Sequence, residues 1–132
     1  YKDKVIVDDY AHHPTEIKSI FDTIDSNYQD KPKAVIFQPH LYTRTRDLMD
    51  DFAKVLSYFQ EVYLLNIYPA REKPIYGITS EVLLNKIDAS KKEIVKKVEI
   101  NDVINNTNCK IIAILGAGDL TVNLNKKIFT NE

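Results

Sequence analysis

Apolar runs of strand length at residues 5–7, 34–37, 62–65 and 110–115 alternate with segments whose apolar residues recur at helical spacing. A strand, a helix and a second strand close most readily as a parallel pair with the helix laid across it. The chain therefore reads as α/β, with a parallel or mostly parallel sheet covered by helices. The run at 110–115 is continuously apolar after Lys110, which suits a strand buried on both faces. Pro14 sits where a first helical position tolerates it, and the helix it opens runs to about residue 26 with Ile17, Ile20, Phe21 and Ile24 on one face. After a loop through Tyr42-Thr43-Arg44-Thr45, a second helix carries Leu48, Phe52, Val55, Leu56 and Phe59. Residues 66–80 hold Pro69, Pro74 and Gly77, too many breakers for regular structure, and read as a working loop. Ser80 is expected to cap a helix ending near Asp88. Residues 91–97 read as a short helix or a charged connection, 98–100 as a short strand, 101–107 as a short helix, and a terminal helix runs through Phe129.

Composition narrows the class of function. With 132 residues, 28% of them charged and 44% hydrophobic, the chain has the balance of one globular domain. At this length folding buries roughly two thirds of the surface the unfolded chain exposes. Cys109 is the single cysteine, so no disulfide framework exists. A net charge of -1 gives no global positive field for a polyphosphate backbone, which argues against nucleic acid as a partner. The longest apolar stretch, residues 111–118, is far short of the ~20 residues that cross a bilayer. Tyr1-Lys2-Asp3-Lys4 opens no signal-peptide pattern, and the expected location is cytoplasmic. A strand begins a few residues from Tyr1, and the expectation is a piece of a longer protein.

The unusual polar residues follow the strands, where helix N-termini and loops of an open α/β sheet converge on ligands. Asp9-Tyr10-Ala11-His12-His13 follows the first strand, His40 to Arg44 the second, Tyr68 to Arg71 the third, and Gly116-Ala117-Gly118-Asp119 the last. All three histidines fall on two of these loops. Asp9 suits either a chain turn or an acceptor for a ligand. His12 and His13 are adjacent on a turn and project differently, a poor chelating pair, and no metal site is expected. Arg44 and Arg71 fit solvated surface positions or two-pronged contacts to a carboxylate. The Gly116-x-Gly118 turn has Thr121 at the third glycine position of a dinucleotide fingerprint, so it reads as a close backbone approach rather than a nucleotide signal. The chain carries no phosphate loop, nucleophile elbow or His-Glu-x-x-His. The residues thus describe a substrate-binding domain with a polar rim for a small anionic ligand.

In order along the chain, Asp8-Asp9-Tyr10-Ala11-His12-His13-Pro14-Thr15-Glu16-Ile17, Phe37-Gln38-Pro39-His40-Leu41-Tyr42-Thr43-Arg44-Thr45, Tyr68-Pro69-Ala70-Arg71-Glu72-Lys73-Pro74-Ile75 and Gly116-Ala117-Gly118-Asp119 resemble the C-terminal domain of the Mur ligases. The alanine-adding branch is the best match, and the resemblance covers essentially all of residues 1–132. It implies a Rossmann-like three-layer domain, with a mostly parallel sheet of about six strands flanked by helices. It also implies a three-domain enzyme of peptidoglycan synthesis, whose N-terminal domain holds the UDP sugar and whose central domain holds the ATP phosphate loop. ATP would phosphorylate the carboxylate of UDP-N-acetylmuramate, the amine of L-alanine would attack the acyl phosphate, and phosphate would leave. The implied partners are L-alanine, ATP, UDP-N-acetylmuramate and the other two domains, with ATP and Mg2+ bound mainly by the central domain. No catalytic residue is implied in this piece, which alone should be inactive.

By the same resemblance, Asp9 matches a contact to the nucleotide ribose, and Tyr10, His12, His40 and Arg44 match positions lining the amino-acid pocket. Gly116, Ala117, Gly118 and Asp119 would close that pocket through backbone N–H groups. Leu41 stands where many relatives carry Arg, and Arg71 is the candidate for the second guanidinium contact. Two other functions fit the motifs: a murein peptide ligase that returns tripeptides to the same sugar, and a stand-alone binding module without catalysis.

Overall fold

The computed structural model describes residues 3–116. Its elements are β1 (Val5–Asp9), α1 (Pro14–Asn27), β2 (Lys33–Gln38), α2 (Tyr42–Asp47), α3 (Met49–Leu56), β3 (Glu61–Leu64), α4 (Ser80–Asn85), β4 (Lys91–Ile94), a 3-10 turn at Lys97–Glu99, α5 (Ile100–Asn106) and β5 (Ile111–Gly116). The five described strands form one sheet in the order β1-β5-β2-β3-β4, with every pairing parallel. Ala117, Gly118, Asp119 and the expected terminal helix lie outside the described residues.

The strand order decides where the helices go. The steps β1 to β2, β2 to β3 and β3 to β4 all cross the sheet in one direction, and right-handed crossovers place their helices on one face. On that face Ile17 and Ile24 of α1, Phe52 and Leu56 of α3 and Leu83 of α4 pack on Val35, Phe37, Val62, Leu64, Ala113 and Leu115. The return from β4 to β5 reverses direction, so α5 covers the other face, where Ile100 and Ile104 meet Ala34, Ile36, Tyr63, Ile112 and Ile114. All six residues of β5 are buried, as the unbroken apolar run requires.

Local chemistry explains the departures from expectation. The residues read as a loop at Tyr42–Thr45 form the start of α2, because Leu41 turns the chain with φ +72° and accepts the Thr45 N–H at 3.1 Å. The single helix expected through Phe59 is two, interrupted at Leu48 (φ -116°, ψ 18°). Residues 91–97 begin with a strand, β4, not a helix or connection. It is an edge strand with exposed Lys91, Lys92 and Glu93, and such charged edges lack the apolar alternation by which strands are recognised. Residues 98–100 are not a strand: the Lys96 N–H donates to Glu99 Oε1 at 2.7 Å, closing the 3-10 turn that leads into α5. Thr79, not Ser80, caps α4 by accepting the Val82 N–H at 3.1 Å. The Ser80 hydroxyl is instead buried and donates to the Leu65 carbonyl.

Truncating Ile114, fully buried in β5 between β1 and β2, to Ala is expected to cost about 2–5 kcal/mol. The change appears as a lower urea midpoint at constant m-value. Val98→Ala, at a side chain 81% exposed, should shift stability by less than about 0.5 kcal/mol.

Candidate functional site

Parallel pairing sends the chain out of every strand at the same edge of the sheet, so the polar loops meet there. Beyond β2, His40 forms an isolated parallel bridge with Tyr68, which follows β3. The Tyr68 N–H donates to the Pro39 carbonyl and the Leu41 N–H to the Tyr68 carbonyl, both at 2.8 Å. These bonds fasten the two loops side by side. The His40 ring stacks on Tyr68 with centroids 5.5 Å apart and planes 13° apart, and it meets His12 edge to face at 6.2 Å.

Leu41 is held in a left-handed conformation that a leucine does not choose, at a cost of about 1–2 kcal/mol. Its carbonyl accepts both the N–H and the hydroxyl of the fully buried Thr45, the latter at 2.8 Å. The kink starts α2 directly after His40, which places Arg44 one helical turn from His40. There Arg44 Nη1 donates to His40 Nδ1 at 3.1 Å. A guanidinium only donates, so Nδ1 is the acceptor and the neutral ring carries its proton on Nε2, a tautomer assigned from this bond. Burial first, then the charges of Arg44 and His12, hold His40 below the ordinary histidine range, against a smaller opposing effect of Glu72. His40 is therefore an uncharged donor at neutral pH.

His12 is fixed from behind. Its Nδ1 lies 2.8 Å from the Tyr10 carbonyl, which makes that nitrogen the donor and leaves Nε2 as an acceptor in the neutral ring. The His12 N–H donates to Glu16 Oε1 at 3.1 Å, and this bond leads the effects that depress the Glu16 carboxyl. His13 turns away and caps α1, its Nδ1 accepting the Thr15 N–H at 3.3 Å.

Of the residues singled out from sequence, the structure brings His12, His40 and Arg44 together. Tyr10 contributes its carbonyl, while its side chain is 75% exposed. Arg71 is exposed and, among the described residues, makes no hydrogen bond or ion pair, so the structure gives it no contact with the Arg44 group. Asp9 is also exposed and lines the groove of about 380 Å3 between β1 and α1 with Val5, Val7, Ile20 and Tyr28. Gly116 ends β5 beside Gln38 of β2. Sequence reasoning missed the structural parts played by Thr43, Tyr68 and Glu72. The Glu72 carboxylate accepts the Thr43 N–H at 3.1 Å and the Thr43 hydroxyl, joining residues 29 apart in the chain. No spacing rule announces that contact.

Taken together, the cluster offers one free guanidinium edge, one imidazole N–H donor and one imidazole acceptor. This set suits a small carboxylate with an adjacent amine. Among the described residues no three His, Cys, Asp or Glu side chains converge as a metal site would need.

Comparison with known proteins assigns the family. Residues 1–123 match the family model described as Mur ligase, glutamate ligase domain. The chain is 46% identical over 116 residues to a UDP-N-acetylmuramate--L-alanine ligase of Christiangramia forsetii, covering 88% of this chain and 26% of the relative. It is 48% identical over 120 residues to a protein of the same name from Phocaeicola vulgatus, covering 89% and 26%. The chain thus spans about a quarter of the length of the curated relatives it matches. The crystal structure of UDP-N-acetylmuramate-alanine ligase MurC from Thermotoga maritima superposes with TM-score 0.70 at 23% identity, over 96% of this chain and 26% of that one, and shares the fold. With the parallel α/β sheet, the motifs at its carboxyl edge and these matches in agreement, the chain belongs to the Mur ligase family.

Proposed function

We propose that this chain is the C-terminal domain of an ATP-dependent ligase that joins L-alanine to the carboxylate of UDP-N-acetylmuramate in the cytoplasm, and that its part in the reaction is to hold the amino acid. The observation that carries the reading is Arg44 bonded to an uncharged His40 beside His12, at the edge where the family motifs converge. The activity named for the relatives supports the choice of substrates.

On this reading the alanine carboxylate sits on the N–H groups of Arg44 that His40 leaves free, with the His40 Nε2–H as a further donor. A charge-assisted contact of this kind fixes one end of the amino acid. The other end, the amine, must be uncharged to attack an acyl phosphate, and the His12 Nε2 lone pair is a nearby acceptor for its proton. The rate gain is one of orientation: the nucleophile is presented in a fixed direction instead of diffusing to the acyl phosphate. Asp9 would meet the nucleotide ribose and Gly116 would flank the amino acid, with Ala117, Gly118 and Asp119 completing that turn. By the family resemblance, ATP phosphates and Mg2+ would be held mainly by a central domain.

In the full-length ligase, Arg44→Ala should raise the KM for L-alanine roughly 10- to 100-fold, the equivalent of one charge-assisted hydrogen bond, and leave the KM for ATP unchanged. An unaltered alanine KM removes Arg44 from the pocket. Asp9→Ala should weaken ATP and leave L-alanine alone. Turnover with a tripeptide but not with L-alanine would assign the chain to tripeptide recycling instead.

The imidazole of His40 should titrate, by NMR, below the ordinary midpoint of about 6.5. The unfolded chain then binds the proton more readily than the folded one. His40 consequently costs no stability above that pH and destabilises the fold progressively as pH falls below it. In Arg44→Ala the midpoint should rise but stay under the ordinary value, because burial is the larger cause.

A further inference from the structure

We propose that Glu72 is a positioning residue for Arg44: reaching back from the loop after β3, its carboxylate grips Thr43 by both N–H and hydroxyl and thereby fixes the turn of α2 that aims the guanidinium. The inference rests on the reading that Arg44 holds the carboxylate of the amino substrate.

The capping position before α2 is Leu41, whose side chain offers no oxygen to the free N–H groups of the first turn. The Thr43 N–H is the donor that a capping Ser, Thr, Asp or Asn would normally satisfy from within the helix. Here the acceptor arrives from the neighbouring loop, and a carboxylate at a helix start is favoured by the backbone dipoles as well. The Thr43 hydroxyl leads the effects that hold the Glu72 carboxyl below its usual range, so it is ionised at neutral pH. Both carboxylate oxygens of Glu72 are engaged by Thr43, and Glu72 makes no ion pair with Arg44 among the described residues. Among the described residues the Arg44 side chain makes no ion pair and hydrogen-bonds to His40. The loops that Glu72 ties carry left-handed non-glycine residues, Leu41 (φ +72°) and Ala70 (φ +52°), and such conformations persist only where surrounding contacts over-determine them.

The test uses steady-state kinetics of the full-length ligase, varying L-alanine at saturating ATP and UDP-N-acetylmuramate. Glu72→Ala should raise the L-alanine KM about 10- to 100-fold, the size of a misplaced contact group, with the KM for ATP and kcat changed far less. Thr43→Ala should do the same, and the double variant should be no worse than either single one. Thr43→Ser, which keeps both donors, should restore wild-type behaviour. Glu72→Gln, which keeps an oxygen acceptor without the charge, should be intermediate and serves where Glu72→Ala does not fold. Additive single effects, or an L-alanine KM that stays put in Glu72→Gln and Glu72→Ala, would overturn the proposal.

A second readout is independent of activity: the NMR midpoint of His40, which faces Arg44, His12 and Glu72. Removing the Glu72 charge alone would lower that midpoint, whereas releasing Arg44 from His40 would raise it. A net rise in Glu72→Ala supports the positioning role and a net fall refutes it. If the wild-type ligase shows no L-alanine-dependent turnover, the functional reading fails, while the His40 midpoint still decides whether Glu72 controls Arg44.

Discussion

β5 is the contact on which the rest of the molecule depends. It enters last, between β1 and β2, and pairs in register with both: Ile112 lies opposite Ile6 and Ala34, and Ile114 opposite Asp8 and Ile36. Without it the first two strands share no described pairing. Adjacent strands stand about 4.8 Å apart, so β1 and β2 are roughly twice that distance from each other, with one strand between. The loops that leave them carry His12 and His40, whose rings nevertheless meet with centroids 6.2 Å apart. β5 ends in Gly116 opposite Gln38, a position without a side chain. The site is thus assembled by a strand that contributes none of its imidazoles or guanidinium.

A second constraint operates between β2 and β3. The regular ladder stops at Phe37 opposite Leu64, yet the His40–Tyr68 bridge continues the pairing beyond the break. That bridge holds Leu41 in its left-handed turn. The turn starts α2 directly after His40, which is why Arg44 is one helical turn away rather than on a free loop. The strain at Leu41 is offset by bonds to Tyr68 and Thr45, and backbone strain concentrated at a ligand-facing turn is a recurrent feature of binding sites.

What could be read in the sequence, and what could not, follows from the range of the interactions involved. The apolar strands β1, β2, β3 and β5 and the helix from Pro14 carry their own signal, since their apolar residues form unbroken runs of strand length or recur at the helical period. His12, His40 and Arg44 were recognisable because they sit at strand ends in motif-like strings. β4 was not, because an edge strand made of Lys91, Lys92 and Glu93 owes its conformation to the Glu61–Leu64 strand beside it and not to its own composition. The same holds for Glu72 and Thr43: their link depends on how far the loop after β3 folds back. Arg71, one residue away, attracted attention as a cation, yet the residue engaged with the Arg44 turn is the acid beside it.

The charge of the cluster also limits what it can hold. His40 is uncharged, Glu72 is occupied by Thr43, and Arg44 is the one guanidinium in the group. A single cation with neutral donors matches one carboxylate; it would leave most of a triphosphate's charge unmet, since such groups are ordinarily met by several cations or a metal ion together with backbone N–H groups. A second positive charge on His40 would weaken this selectivity by favouring polyanions at the amino-acid position. The Arg44–His40 bond opposes that charge directly, because the nitrogen that would take the extra proton is already the acceptor of an N–H. In the proposed ligase, the bond that orients the guanidinium would therefore also keep its neighbour neutral, so that the pocket distinguishes an amino acid from the nucleotide bound nearby.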